Sequence, residues 1–375
     1  MTKPTPRAGF SIATILPYEE SFTYHNAGAV SLFVRDTTLN SAYQNNITVF
    51  GHQITKQRLF SNIHYQGNRP FMPLLLGKNN GYAQTLVKNL RKLRPKLIEV
   101  HNDITLFNIL AQNFANTPIS IYFHDDPANM NGARTPAQRW KILSRADAIY
   151  CCSHYIRRRF LTGLEAGRTD HVHVVYQGID NTPKPKRENV LLYVGHLTQR
   201  KGPLELAHAA RMILPHHPDW RIVFAGESRP NKNSDKYRRD IQAALAPLKK
   251  QAVFMGHLPH EKILELFSHA PIAVVPSIQP EPIGRTAIEA MSGGCALVTS
   301  GHGGLTELAG DVGVIVSPVT AQGLALALQG LIEDQASREQ VQQRCAQRGA
   351  WFALAGMQRY FDDLRRDLLT KAYGK

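Results

Sequence analysis

The chain has 375 residues, with 44 Lys and Arg against 29 Asp and Glu, a formal charge of +15. Its hydrophobic content of 43% argues against large-scale disorder, and four cysteines are too few for a disulfide scaffold. No apolar run reaches the ~18 residues of a membrane-spanning helix, and the first residues lack the apolar core of a secretory signal. The expectation is a basic, soluble, cytoplasmic protein, and at ~100–200 residues per domain it has room for two domains.

In the first half, short apolar or β-branched runs predict strands at 11–16, 47–50, 97–100, 119–123, 148–151 and 172–175. Residues 1–180 hold 20 basic and 11 acidic residues, so the basic excess leans towards this half. Its densest stretch contains Lys88, Arg91, Lys92, Arg94 and Lys96, and Arg157, Arg158 and Arg159 form a second cluster. Such patches attract nucleic acid, anionic lipid or a phosphorylated substrate. No zinc-finger spacing, RNP aromatic motif or repeat accompanies them, so no nucleic acid partner is expected.

Residues 180–189, DNTPKPKREN, are polar, hold two prolines and lack periodicity, which reads as a linker. Beyond it, strands are predicted at 191–194, 221–225, 252–255, 272–275, 296–299 and 312–316. Between the first two, Leu206, Ala209, Ala210 and Ile213 follow helical spacing, with Pro203 in the first turn. Strand–helix alternation of this kind predicts an α/β protein of two Rossmann-like, doubly wound domains facing a central cleft. The expected division is 1–180, 181–356 and a C-terminal helix, 357–375, packing back on the first domain. The helix should bury Tyr360, Leu364 and Leu368 on one face.

The segment PSIQPEPIGRTAIEAMSGGCALVTSGHGGLTEL, residues 276–308, carries the most chemistry. Glu281 follows a predicted strand, and Glu289 falls about one turn into the next helix. Gly284, Arg285 and Thr286 would sit at that helix's N-terminus, where backbone N–H groups and the helix dipole favour phosphate or sugar hydroxyls. Carboxylates there can accept paired hydrogen bonds from vicinal hydroxyls.

The stretch EPIGRTAIEAMSGG resembles the Glu-x7-Glu signature of retaining family 4 glycosyltransferases, which have the two-Rossmann-domain GT-B fold. VYQGID (175–180), LLYVGHLTQRKGPLEL (191–206), FAGES (224–228) and VFMGHLP (253–259) resemble further family segments in the expected order. The resemblance covers the second domain well and the first loosely. It implies hexose transfer from a nucleotide diphosphate sugar to a hydroxyl of a glycan or lipid-linked acceptor. A UDP-hexose is favoured over GDP-mannose, in lipopolysaccharide or exopolysaccharide synthesis.

Residue by residue, Lys201 matches the lysine that neutralises the donor diphosphate, on the turn that includes Gly195. The arginine usual after that glycine is here His196, and Arg200 is the candidate replacement. Glu289 matches the carboxylate on the ribose and Glu281 the one on the transferred sugar. Met255 lies where the backbone meets the base, its side chain expected in the core. In the first domain YFHDDP (122–127) supplies His124, matching the histidine that approaches the donor sugar. Gly28 corresponds to a phosphate-packing loop, and Asn102 or Asp103 could meet the acceptor.

No His/Cys/Asp cluster has ligand spacing, so neither a metal nor a cofactor is expected. Peripheral contact with an anionic membrane follows from the charge, released by salt. Two other readings stay open: an epimerase or phosphorylase on the same fold, and a non-catalytic basic module for anionic polymers.

Overall fold

The computed structural model describes residues 10–55, 57–164, 169–179, 187–227 and 232–374. It divides into two units, residues 1–178 with 354–375, and residues 179–353. Most of the predicted linker, residues 180–186, lies outside the described residues, as does Ser228 of the FAGES segment.

The first unit is built on seven parallel strands: β1 (Ile12–Ile15), β2 (Ile47–His52), β3 (His64–Asn68), β4 (Leu97–His101), β5 (Ile119–Phe123), β6 (Ala148–Cys151) and β7 (Val172–Val174). Their spatial order is β3-β2-β1-β4-β5-β6-β7. Six of these coincide with predicted runs. The exception is β3, whose sequence HYQGN is polar because it is an edge strand facing solvent over most of its length. The central strands β1, β4 and β5 are buried throughout and mostly apolar, as parallel strands covered on both faces are, with Glu99 of β4 the charged exception.

The second unit has six parallel strands: β8 (Val190–Val194), β9 (Arg221–Ala225), β10 (Ala252–Gly256), β11 (Ile272–Val275), β12 (Ala296–Thr299) and β13 (Val314–Ile315). They lie in the order β10-β9-β8-β11-β12-β13. The order reverses between β8 and β11, so the carboxyl ends of those two strands flank the crevice that such sheets form. Ligands bind at such a switch point in open α/β sheets.

The last helix, Leu354–Tyr373, belongs to the first unit. Its buried face differs from the predicted one. Tyr360 is 44% exposed, and the inward positions include Phe361, Leu368 and a charged residue, Arg365. Arg365 Nε and Nη2 grip Glu99 Oε1 and Oε2 of β4 at 2.8 Å each. Its Nη1 donates to Asp362 Oδ1 at 3.1 Å and to Ser41 Oγ at 3.2 Å. Asp362 in turn accepts from Ser41 Oγ and the Ala42 amide, both at 2.7 Å. Burial would lower the guanidinium's pKa; Glu99 and Asp362 outweigh that and raise it above its ordinary value. The final helix is thus tied to the sheet through a bidentate ion pair with both members 1% exposed.

Breaking one side of a buried pair leaves an uncompensated charge. Arg365→Met should lower stability by about 3–5 kcal/mol, read as a fall in the urea midpoint. Arg365→Met with Glu99→Met should recover most of that loss. A single variant as stable as the parent would remove this pair as the tether.

Candidate active site

The second unit's crevice is built by two loops that lock together. The loop after β8 ends in a short turn, Gln199–Lys201, closed by Gly202 at φ 68°. A Cβ on Gly202 would lie 2.1 Å from the Pro276 carbonyl oxygen, so only glycine permits this approach. The Arg200 carbonyl accepts the Ile278 amide at 2.9 Å and the Gln279 amide at 3.3 Å. This stitching sets the turn beside residues 276–281 at the end of β11.

Lys201 and Glu281 meet as a result. Lys201 Nζ donates to Glu281 Oε2 at 2.8 Å, and Ser277 Oγ donates to Oε1 at 2.7 Å. Arg200 Nη1 stands 3.8 Å from Oε1. Burial would raise the Glu281 carboxyl, but the Lys201 charge, hydrogen bonds from Lys201 and Ser277, and the Arg200 charge hold it below its ordinary value. The backbone of Glu281 is pinned from the other side. Its carbonyl accepts the Gly304 amide at 2.7 Å, and a Cβ on Gly303 would lie 2.4 Å from that oxygen.

Glu289 lies on the helix Arg285–Ser292, which Gly284 caps at its N-terminus. Its Oε1 accepts from Arg285 Nε at 2.8 Å and pairs with His260 Nε2 at 2.7 Å. Here too burial pushes upward, and Arg285 together with His260 holds the carboxyl low. The Arg285 side chain is buried against Glu289, so its guanidinium orients that carboxylate. Thr286 is half-buried in the same first helical turn. Lys201, Glu281, Glu289 and His260 therefore come from segments that follow β8, β11 and β10, at the carboxyl edge of one sheet.

One assignment needs revision. Met255 is 41% exposed on the edge strand β10, not a core residue. His196 is exposed, and its Nδ1 lies 3.1 Å from the Glu227 carbonyl oxygen. Gly195, whose amide donates to the Ala225 carbonyl at 3.0 Å, continues the sheet pairing one residue past β8.

In the first unit His124 follows β5 and is 7% exposed. Its Nε2 lies 3.0 Å from His101 Nδ1, and its ring stacks on Tyr122 at 4.2 Å. The outer nitrogens, His124 Nδ1 and His101 Nε2, are buried without a hydrogen-bond partner. Burial drives both rings well below the usual histidine pKa, with His101 brought to about 3, helped by the Arg365 charge; the His101 charge adds to the effect on His124. Both are neutral at pH 7, so one nitrogen of the contact donates and the other accepts.

Asn102 and Asp103 serve the local backbone. Asp103 Oδ1 caps the helix Ile104–Asn113 through the Leu106 amide at 2.9 Å. Asn102 Oδ1 accepts the His124 and Asp125 amides, and its Nδ2 donates to Asp125 Oδ2 at 2.8 Å. Gly28 caps the helix Ala29–Leu39, but the Glu20 carboxylate already takes the Ser31 amide there at 3.1 Å.

Sequence reasoning missed His260, Ser277 and His101. His260 and His101 stand 29 and 23 positions from their partners, whereas Ser277 lies four residues before Glu281 and is legible only as a loop residue.

The model "Glycosyltransferase Family 4" matches residues 42–182, and "Glycosyl transferases group 1" matches residues 178–348. The YtcC protein of Bacillus subtilis is 25% identical over 75% of this chain and 72% of its own length. Glycogen synthase of Mycobacterium tuberculosis is 28% identical over 69% of this chain and 65% of its own. The crystal structure of Anabaena HepE in complex with UDP and glucose superposes with a TM-score of 0.78 at 18% identity, covering 96% of this chain and 100% of that one. Its likeness is one of fold, the two-domain GT-B architecture. With both halves of the chain matched in order, and with the carboxylates and the lysine of the motif gathered at one switch point, the chain belongs to the family 4 glycosyltransferases.

Proposed function

We propose that this protein moves a hexose from a nucleotide diphosphate sugar to a hydroxyl of a glycan or lipid-linked acceptor, with retention at the anomeric carbon. A UDP-hexose is the favoured donor and GDP-mannose the second. The observation that carries the reading is the buried Glu281 carboxylate paired to Lys201 at the switch point, with Arg200 close by. The HepE structure holds UDP and glucose on the same fold, which supports a uridine donor.

Departure of a nucleoside diphosphate puts negative charge on the β-phosphate. Lys201 has three donors and spends one on Glu281, so it can serve a phosphate oxygen as well. Arg200 is 45% exposed at its side chain and adds a second cation. The helix end at Gly284–Thr286 adds its dipole. Glu281 then accepts hydroxyls of the transferred sugar, and Glu289, oriented by Arg285 and His260, accepts those of the ribose. His124 is assigned to the sugar as a neutral imidazole, which can donate a hydrogen bond without bringing a competing charge. These charges supply what a divalent cation would, and no metal or cofactor is proposed. An acceptor in lipopolysaccharide or exopolysaccharide synthesis suits the basic first unit.

A panel of nucleotide sugars should raise the melting temperature with UDP-hexoses foremost, corresponding to about 3 kcal/mol at a hundredfold excess over Kd. Lys201→Ala should abolish the shift and Arg200→Ala reduce it, with His196→Ala close to the parent. Glu281→Gln should keep nucleotide binding while transfer falls about a hundredfold. No shift with any uridine or guanosine donor would sink the reading.

The histidine pair sets a pH dependence. Above pH ~6.5 neither folded nor unfolded rings bind protons. Below it the unfolded chain takes protons that the folded rings refuse, so stability falls as pH drops towards the folded pKa values. Urea midpoints measured from pH 7 to pH 4 should decline, and His101→Phe should flatten the decline by about one proton.

A further inference from the structure

The first unit exposes an apolar run that its own fold does not use. Phe71 is 56% exposed, Met72 50%, Leu74 104% and Leu75 74%. They are the only four large hydrophobic side chains among the described residues that stand exposed within one stretch of five. The tip is not loose. The Phe71 amide donates to the Gly81 carbonyl at 2.9 Å, and a Cβ on Gly81 would lie 2.2 Å from the Phe71 carbonyl oxygen. Residues 73–76 form one helical turn, closed by the Gly77 amide on Pro73 at 3.0 Å. The backbone is therefore held against the helix Lys78–Leu93 while Phe71, Met72, Leu74 and Leu75 stand in solvent.

The sequence that carries this tip is one-sided in charge. Residues 37–98 contain nine Lys and Arg and no Asp or Glu, so this stretch alone supplies +9 of the chain's +15. Lys78 follows the tip directly. On the helix Lys78–Leu93, Tyr82, Leu86 and Leu90 face the core, while Lys88 and Lys92, one turn apart, are exposed. Arg69 precedes the tip and its carbonyl accepts Thr85 Oγ1 at 2.7 Å, which ties it to the same helix.

We propose that this face docks on an anionic lipid bilayer. Phe71, Met72, Leu74 and Leu75 seat in the headgroup boundary, and Lys78, Lys88 and Lys92 face the lipid phosphates. An apolar insertion and a polybasic patch together make the two signals that stable peripheral anchoring requires. The charge argues against a second copy of the chain as occupant, since two faces each carrying uncompensated cations repel. Binding of this kind has a part that salt screens and an apolar part that salt leaves in place. The proposal rests on the proposed function only for its purpose, bringing the enzyme to a lipid-linked acceptor.

The test is co-sedimentation of the full chain with phosphatidylcholine vesicles, with and without phosphatidylglycerol, at low and high salt. The parent should bind phosphatidylglycerol vesicles about tenfold better than phosphatidylcholine alone at low salt, and fall at high salt to the weak, measurable binding seen with phosphatidylcholine. Leu74→Asp with Leu75→Asp should lose the salt-resistant fraction and bind about tenfold less at low salt. Lys88→Ala with Lys92→Ala should lose the salt-sensitive part. All these residues are exposed, and an unchanged melting temperature confirms that each variant folds. Parent binding that ignores phosphatidylglycerol, or an unaffected Leu74→Asp/Leu75→Asp variant, would overturn the proposal. So would a parent dimer in solution that this double variant dissolves. The nucleotide-sugar thermal shift, run on the same samples, separates this outcome from failure of the glycosyltransferase reading, because the vesicle assay needs no donor.

Discussion

A carboxylate cannot remain ionised inside a protein without cations and hydrogen bonds to replace its water. Glu281 is 4% exposed, and what keeps it charged is the Lys201 ammonium, assisted by Ser277 and Arg200. That requirement explains much of the second unit's local architecture. The turn carrying Lys201 must approach the β11 loop closely, so Gly202 stands where any side chain would strike Pro276. The loop after β12 must pin Glu281 from the far side, so Gly303 lies against its carbonyl. The same logic repeats at Glu289, where Arg285 and His260 supply the compensation.

The first unit solves a similar problem for a different end. Glu99 lies in the middle of a central strand, a costly place for a charge. Its partner arrives some 266 positions later in the chain, on the last helix. A bidentate guanidinium is more directional than an apolar contact, so it specifies how that helix lies on the sheet. The same guanidinium helps keep His101 neutral, and through it bears on the His101–His124 contact at the strand ends. Packing of the C-terminal helix and the protonation of a candidate site residue are therefore electrostatically linked.

The two units also divide the surface chemistry. In the second unit the two carboxylates of the site are buried and paired, with Arg200 the exposed cation beside them. Across residues 37–98 of the first unit the cations have no acidic residue in the same stretch to answer them. Exposed lysines on the helix that follows an exposed apolar tip suit a broad anionic partner in place of a single small ligand.

The sequence by itself determined the apolar strands and the order of the motifs. Parallel strands buried on both faces are apolar runs bounded by turns, and β5, β6, β9, β11 and β12 match those runs residue for residue. The candidates Lys201, Glu281 and Glu289 come from the resemblance of residues 191–206 and 281–294 to family segments, each short enough to be read locally. The sequence could not show β3, since a polar edge strand looks like a loop, nor the inward turn of Arg365, since a charge on an amphipathic helix reads as solvent-facing. Nor could it pair Lys201 with Glu281, His260 with Glu289, or His101 with His124. Those contacts join residues 80, 29 and 23 positions apart. Local pattern is set by each residue's own periodicity, whereas compensation of a buried charge is set by whatever the folded sheet brings within about 3 Å.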